Sequence, residues 1–243
     1  ENMFITGKAG SGKTTLLEYF RINSSKNFVI LASTGISAIK AKGKTIHSFF
    51  LFPPRILINE KIQKLRGKVI NNVETILIDE CSMIRSDVLD GIDQSLRFNR
   101  NNEQPFGGVQ IILLGDIHQL PPVVRENEQE IFDNFYPFGH YFFHSNCYQI
   151  SNIKKYELKK VFRQKDIQFL DVLNKIRIGN VNEHDLSILN NRVINNNSNI
   201  PLETIILSPH FSVYVFNEKN EMLQTYEVGA IHGDFILYEK EID

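Results

Sequence analysis

The stretch GKAGSGKTT, residues 7–15, decides the fold. Gly7, four residues, then Gly12-Lys13-Thr14 complete the spacing G-x-x-x-x-G-K-[ST], and the loop lies between the apolar run MFIT (3–6) and a helical pattern over 12–23. A strand before and a helix after are the setting a phosphate-binding loop requires. The glycines let successive backbone N–H groups turn inward, the helix adds its positive end, Lys13 neutralises β- and γ-phosphate oxygens, and the Thr14 hydroxyl can hold Mg²⁺. The expected nucleotide contacts are therefore Gly7, Ala9, Gly10, Ser11, Gly12, Lys13, Thr14 and Thr15, with ATP and Mg²⁺ as ligands.

Outward from the loop the chain alternates. FVILA (28–32), TILID (75–79) and VQIILLG (109–115) are unbroken apolar runs, the pattern of parallel strands buried on both faces. Helical patterns fall at about 35–42 and 85–98, the latter with an apolar stripe of Val88, Leu89, Ile92 and Leu96. The alternation predicts an α/β fold, a mostly parallel sheet flanked by helices. After Pro137 the texture changes. Helices are expected near 166–178 and 183–194, a polar loop at NNNSN (195–199), a strand at 204–208 and a helix from about 211. The predicted domains are 1–152 and an incomplete α/β unit over 153–243.

In parallel sheets, ligands bind beyond the carboxyl ends of the strands, and two further groups fall there. TILIDECSM ends a strand on Asp79 and Glu80, whose side chains would leave the pleat on opposite sides. Asp79 is assigned to the metal with Thr14, and Glu80 to the attacking water. LLGDIHQLPPV (113–123) places Gln119 before a rigid Pro121-Pro122 pair, where it can bond a γ-phosphate oxygen and move its loop when that phosphate is lost. His118 has no Cys or His partner at ligand spacing and is read as a solvated or hydrogen-bonded loop residue.

Composition sets bounds without naming a chemistry. Across 243 residues, 27 Lys and Arg against 28 Asp and Glu leave a net charge of −1, so any nucleic-acid site must be a local groove. Two cysteines, Cys81 and Cys147, are too few for a disulfide framework and suit a reducing compartment, cytoplasmic or, in a eukaryote, nuclear. No apolar run approaches a membrane span.

At this point five stretches together resemble one family. GKAGSGKTT, TGISAIKAKGKTIHSFF (34–50), ILIDECSM (76–83), PFGGVQIILLGDIHQLPPV (105–123) and LKKVFRQKD (158–166) occur in the order of the 5′-to-3′ branch of superfamily-one DNA helicases. SDVLDGIDQSLRFNRNNEQPFGG (86–108) resembles the signature of the PIF (petite integration frequency) helicases, relatives of RecD, and YEVGAIHGDF (226–235) is similar to their second domain. The resemblance implies a P-loop NTPase with a RecA-like first domain, a partial second RecA-like domain, and ATP-dependent translocation on single-stranded DNA. It implies roles for Lys13, Glu80 and Gln119 in hydrolysis. Arg163, in VFRQ, would reach the γ-phosphate from the second domain. STGISAIKAKGKTIHSF (33–49) would grip DNA phosphates through Thr34, Gly35, Thr45 and His47, with Lys40, Lys42 and Lys44 adding charge. Phe49 and Phe50 are stacking or core residues, with core packing favoured.

The resemblance also places a small duplex-splitting insertion at about 51–72. It implies forked or structured DNA as substrate, a monomeric motor, and a fragment whose adenine-recognising element would precede Glu1 and whose late motifs would follow Asp243. Such a fragment would unwind poorly or not at all. Two other readings stay open: a P-loop ATPase of another output, such as a remodeller or a nucleotide kinase, and a nucleotide-gated DNA-binding module without unwinding.

Overall fold

The computed structural model describes residues 1–65, 69–162 and 167–191, and the backbone of three later strands. It divides into two units, Glu1–Lys165 and Asp166–Asp243.

The first unit runs β1 (Met3–Gly7), α1 (Lys13–Asn23), β2 (Phe28–Ala32), α2 (Gly35–Lys40), β3 (Lys44–Thr45), α3 (Ile46–Phe50), α4 (Val69–Asn72), β4 (Thr75–Asp79), α5 (Ser86–Arg100), β5 (Gln110–Gly115), α6 (Gln129–Phe135), α7 (Asn146–Ile150) and β6 (Lys154–Leu158). Its strands form one six-stranded sheet in the order β3-β2-β4-β5-β1-β6. Every pairing is parallel. The apolar runs read as doubly buried strands are that: β4 is buried throughout and β5 at every residue but Gln110. Side chains alternate between two cores, with Leu31, Ile76, Ile78, Ile111 and Leu113 on the α5 side and Ile30, Leu77, Ile112 and Leu114 with Leu17 of α1 on the other.

The strand β6 lies beyond the residue where the sequence places the first domain's end, yet it pairs with β1 from Met3↔Lys154 to Gly7↔Leu158. Its residues, KKYEL, are almost all exposed because it is the sheet's edge, and an edge strand with lysines carries no buried-strand pattern.

α5 is more buried than an apolar stripe requires. Besides Val88, Leu89, Ile92 and Leu96 it buries Asp87, Asp90 and Asp93. These lie at i, i+3 and i+6, one face of the helix. Each carboxylate accepts N–H groups from a different segment. Asp87 takes Leu57, Asp90 takes Asn146 and Cys147 together with the Tyr136 hydroxyl, and Asp93 takes Phe106. Phe106 and Gly107 turn at φ 56° and 60°, and Arg100 donates to the Gly107 carbonyl and to those of Ile70, Asn71 and Val73 at the end of α4. The signature-like stretch is thus a strut that collects the backbone ends around it.

In the second unit α8 (Ile167–Arg177) and α9 (Glu183–Asn190) agree with the two expected helices. Lys175 of α8 pairs with Asp171 and Asp185, and Asn182 and Asp185 form a reciprocal cap on α9. β7 (Ser212–Phe216), β8 (Met222–Ile231) and β9 (Asp234–Glu239) form an antiparallel sheet. The helix expected from about 211 is a strand instead, and its sequence SVYVF carries the β-branched and aromatic residues strands favour. The predicted strand at 204–208 lies outside the described residues. No helix among the described residues is long and apolar enough to cross a membrane.

Candidate nucleotide and DNA site

The loop after β1 turns through two left-handed glycines, Gly10 at φ 75° and Gly12 at φ 96°, before α1 begins at Lys13. A side chain at Gly12 would meet nothing within 4 Å, whereas one at Gly7 would lie 2.5 Å from Ser11 Oγ and 2.9 Å from the Leu158 carbonyl. Gly7 is therefore needed for close approach and Gly12 for its dihedral. Lys13 Nζ folds over the loop, donating to the carbonyls of Gly7 at 2.7 Å and Lys8 at 3.2 Å. Ser11 Oγ is buried with no hydrogen-bond partner among the described residues. An unspent buried hydroxyl beside an ammonium and inward-turned backbone fits an anionic, oxygen-rich ligand.

Residues 9–15 of the loop line a cavity of about 900 Å³ together with Glu80 and Gln119 and with Tyr19, Leu158 and Phe162. Asp79 is buried at the end of β4, and its Oδ1 accepts the Glu80 N–H at 3.0 Å. Glu80 sits at φ 51°, ψ 47°. The two carboxylates are thus separated by a left-handed turn at the strand's end, where the sequence reading had them leave one pleat on opposite sides. A non-glycine residue in that conformation costs roughly 1–2 kcal/mol, a cost Phe106 also carries before β5. Gln119 is exposed beyond β5, with its N–H on the Asp116 carbonyl at 2.9 Å. His118 is exposed on the same turn, its N–H on buried Asp116. Cys81, next to Glu80, is a fully buried free thiol, and burial, then the Glu80 and Asp79 charges, pushes its ionisation well up. No group of three His, Cys, Asp or Glu able to hold a metal occurs among the described residues. Thr14 and Asp79 alone would suit Mg²⁺ that takes its remaining oxygens from phosphate and water.

The second expected cluster shares this carboxyl edge at β2 and β3. Thr34 caps α2, accepting the Ser37 N–H at 3.1 Å, and Thr45 caps α3, accepting that of Ser48 at 3.2 Å. Gly35 is exposed, and a Cβ there would meet nothing within 4 Å. His47 is half-buried, its ring edge-on to Phe52. Burial, then the nearby Arg85 charge, lowers its pKa, and Asp87 partly opposes this. Phe50 is in the core and Phe49 packs against it, the favoured expectation for both. Lys40, Lys42 and Lys44 are exposed, with Lys42 3.8 Å from Glu18.

The sheet order therefore sets the nucleotide cavity, at β1, β5 and β4, beside the cluster at β2 and β3. Arg163 lies outside the described residues. The segment leading to it is described up to Phe162, whose N–H donates to the Gly10 carbonyl of the phosphate loop at 2.9 Å. Sequence reasoning missed Tyr19, Leu158 and Phe162. Tyr19 carried a signal, four residues and so one helical turn after Thr15, and the other two lie within LKKVFRQKD, where Phe162 adjoins Arg163, with no signal of their own.

Residues 1–187 match the family model described as PIF1-like helicase. The chain is 32% identical over 189 residues to the ATP-dependent DNA helicase RRM3 of Saccharomyces cerevisiae, covering 73% of this chain and 25% of that protein. It resembles a Bacteroides Pif1 helicase solved in complex with ADP-AlF3 and ssDNA, with a TM-score of 0.75 at 41% identity over 82% of this chain and 48% of that one. It also resembles a chain from a structure of DNA unwinding at forked dsDNA by two coordinating Pif1 helicases, with a TM-score of 0.74 at 42% identity over 78% and 47%. The chain thus spans a quarter of the yeast relative and just under half of the two solved chains. With its phosphate loop, strand-end acids and α5 strut in one RecA-like parallel sheet, this chain belongs to the PIF1-like helicase family.

Proposed function

We propose that the chain is the ATP-hydrolysing part of a DNA helicase that moves 5′-to-3′ on single strands. The observation that carries this reading is the cavity in which Lys13, Glu80 and Gln119 share one wall system at the sheet's carboxyl edge, next to the Thr34–His47 stretch. Lys13 binds β- and γ-phosphate oxygens together with backbone N–H groups of Gly7–Thr15. Thr14 and Asp79 hold Mg²⁺, which supplies charge neutralisation at the phosphates. Glu80 takes a proton from the water that attacks the γ-phosphorus; the bond to the β–γ bridging oxygen breaks, leaving ADP and inorganic phosphate. Gln119 contacts the γ-phosphate, and its exposed turn relaxes when that group leaves. Arg163 adds charge at the γ-phosphate, a role that rests on the resemblance alone. Thr34, Gly35, Thr45 and His47 track the phosphates of single-stranded DNA.

Support for DNA as partner comes from one relative solved in complex with ssDNA and another described in terms of DNA unwinding at forked dsDNA. We read the working form as a monomer, the second unit as part of a second motor lobe, and the compartment as reducing, in keeping with two buried free cysteines. The 51–72 insertion is the part assigned to splitting duplex.

The test is steady-state ATP hydrolysis by the full-length protein, with and without single-stranded DNA, beside Glu80→Gln. Stimulation by DNA is expected, and loss of the base should lower turnover by roughly 10²–10⁴-fold with DNA present. Hydrolysis indifferent to DNA would move the chain to a P-loop ATPase of another output.

A further inference from the structure

At the start of α5, one arginine and two acids hold three consecutive backbone groups of the insertion. Arg85, just before α5, makes a two-pronged contact with Asp87 at 2.9 and 2.8 Å and donates to the Arg55 carbonyl at 3.1 Å. Asp87 Oδ2 accepts the Leu57 N–H at 2.8 Å, and Glu128 Oε1 accepts the Ile56 N–H at 3.2 Å. Gly91 of α5 makes room below, since a Cβ there would stand 3.0 Å from Leu57 and 3.3 Å from the Phe52 ring. Phe52 stacks on Phe50 of α3 and meets the edge of His47, so the insertion is continuous with the proposed DNA cluster. Glu128 stands on the other side, at the start of α6, in the segment that follows Gln119 through Pro121-Pro122.

The contacts are unequal. The Arg85–Asp87 pair, a half-buried guanidinium on a buried carboxylate, is charge-assisted, the strong class of hydrogen bond. Glu128 is buried too, but its Oε2 stands 3.7 Å from Arg85 Nη1, beyond hydrogen-bond range, and has no hydrogen-bond partner among the described residues. The Arg85–Asp87–Leu57 half is the fixed side, and the Glu128 contacts are the ones a small shift would remake.

We infer that Arg85, Asp87 and Glu128 are positioning residues, a clasp through which the Gln119 segment sets the insertion's grip relative to the DNA cluster. The inference rests on the functional reading above. When the γ-phosphate draws Gln119, the stiff proline pair passes the displacement to Glu128, which tightens or loosens its hold on Ile56 while Asp87 keeps Leu57 in place.

Two measurements on the full-length protein test it. In the unmodified protein, amide exchange at Ile56 should differ between ADP and ADP with aluminium fluoride, while Leu57 stays the same; exchange at Ile56 that ignores the nucleotide overturns the clasp. Glu128→Ala should leave DNA-free hydrolysis and the KM for ATP nearly unchanged and cut the DNA-stimulated kcat roughly 5-fold or more, the scale of a coupling between sites. Glu128→Gln, which keeps an acceptor for Ile56, should recover most of it. An equal loss with and without DNA, or no loss, would mean ordinary packing. If the unmodified protein is not stimulated by DNA, the functional reading fails, and the amide measurement alone then decides whether the clasp responds to nucleotide.

Discussion

The phosphate loop and α5 use buried polar groups in opposite ways. The loop holds Ser11 Oγ buried without a partner among the described residues and folds Lys13 onto its own carbonyls, so its polarity is kept for something that arrives. α5 commits its acids to the protein itself, with Asp87, Asp90 and Asp93 each accepting N–H groups from separate segments. The lesson is that a buried polar group without a partner can be held for a ligand, whereas one whose partners lie on several segments ties those segments together. Substitutions in the two regions should therefore separate activity from stability.

The sharpest separation is expected at Lys13. Lys13→Ala should lower ATP hydrolysis by roughly 10²–10³-fold, the usual cost of removing a preorganised charge from a reacting group. Because that ammonium donates to carbonyls of its own loop, those of Gly7 and Lys8, the urea midpoint should move little. A large fall in stability would erase the contrast.

The counterpart is Asp90→Ala. Its carboxylate accepts from the Tyr136 hydroxyl, from the backbone N–H groups of Asn146 and Cys147, and from the Asn146 side chain. Leaving several buried donors unmet should cost about 3 kcal/mol of unfolding free energy, read by urea denaturation. A loss under about 1 kcal/mol would mean that water replaces the carboxylate and that α5 is no strut.

Between these extremes lie the two glycines. Gly7→Ala forces a Cβ against Ser11 and the Leu158 carbonyl and should destabilise by about 1–3 kcal/mol, as overpacking does. Gly12→Ala meets no atom and pays only for its φ of 96°, about 1 kcal/mol, so its main effect should be on nucleotide affinity. Thermal melts beside ATP titrations would check the order.

What was legible in the sequence follows the same division. The strands β1, β2, β4 and β5 were legible because doubly buried parallel strands must be apolar throughout, and the turn between β1 and α1 because a phosphate-loop pattern fixes glycine, lysine and hydroxyl at set spacing. β6 was missed because an exposed edge strand such as KKYEL carries no burial signal. The roles of Asp87, Asp90 and Asp93 were missed because an acid on a helix ordinarily marks its solvent face, and only the positions of Leu57, Cys147 and Phe106 show that these acids point inward. Arg85 and Glu128, far apart in sequence, meet only once the insertion is folded between them.

The smallest effect concerns His47, which belongs to both regions: it is nominated for DNA yet lies near Arg85 and Asp87. Its pKa is below the usual 6.5 because burial, then Arg85, disfavours the charged ring. The unfolded chain therefore binds this proton at a higher pH than the folded one does. Stability is unaffected by His47 above about pH 6.5 and declines as the pH falls from there through the lowered folded value. Urea midpoints measured across that window should fall with acid in the unmodified protein, and His47→Asn should flatten the slope. If the slope survives the substitution, another group carries it, and His47 is exposed enough to be an ordinary surface ligand for phosphate. If it flattens, a neutral ring at neutral pH means that His47 meets DNA as a hydrogen-bonding group and not as a counter-charge, so the substitution should leave the salt dependence of DNA binding unchanged.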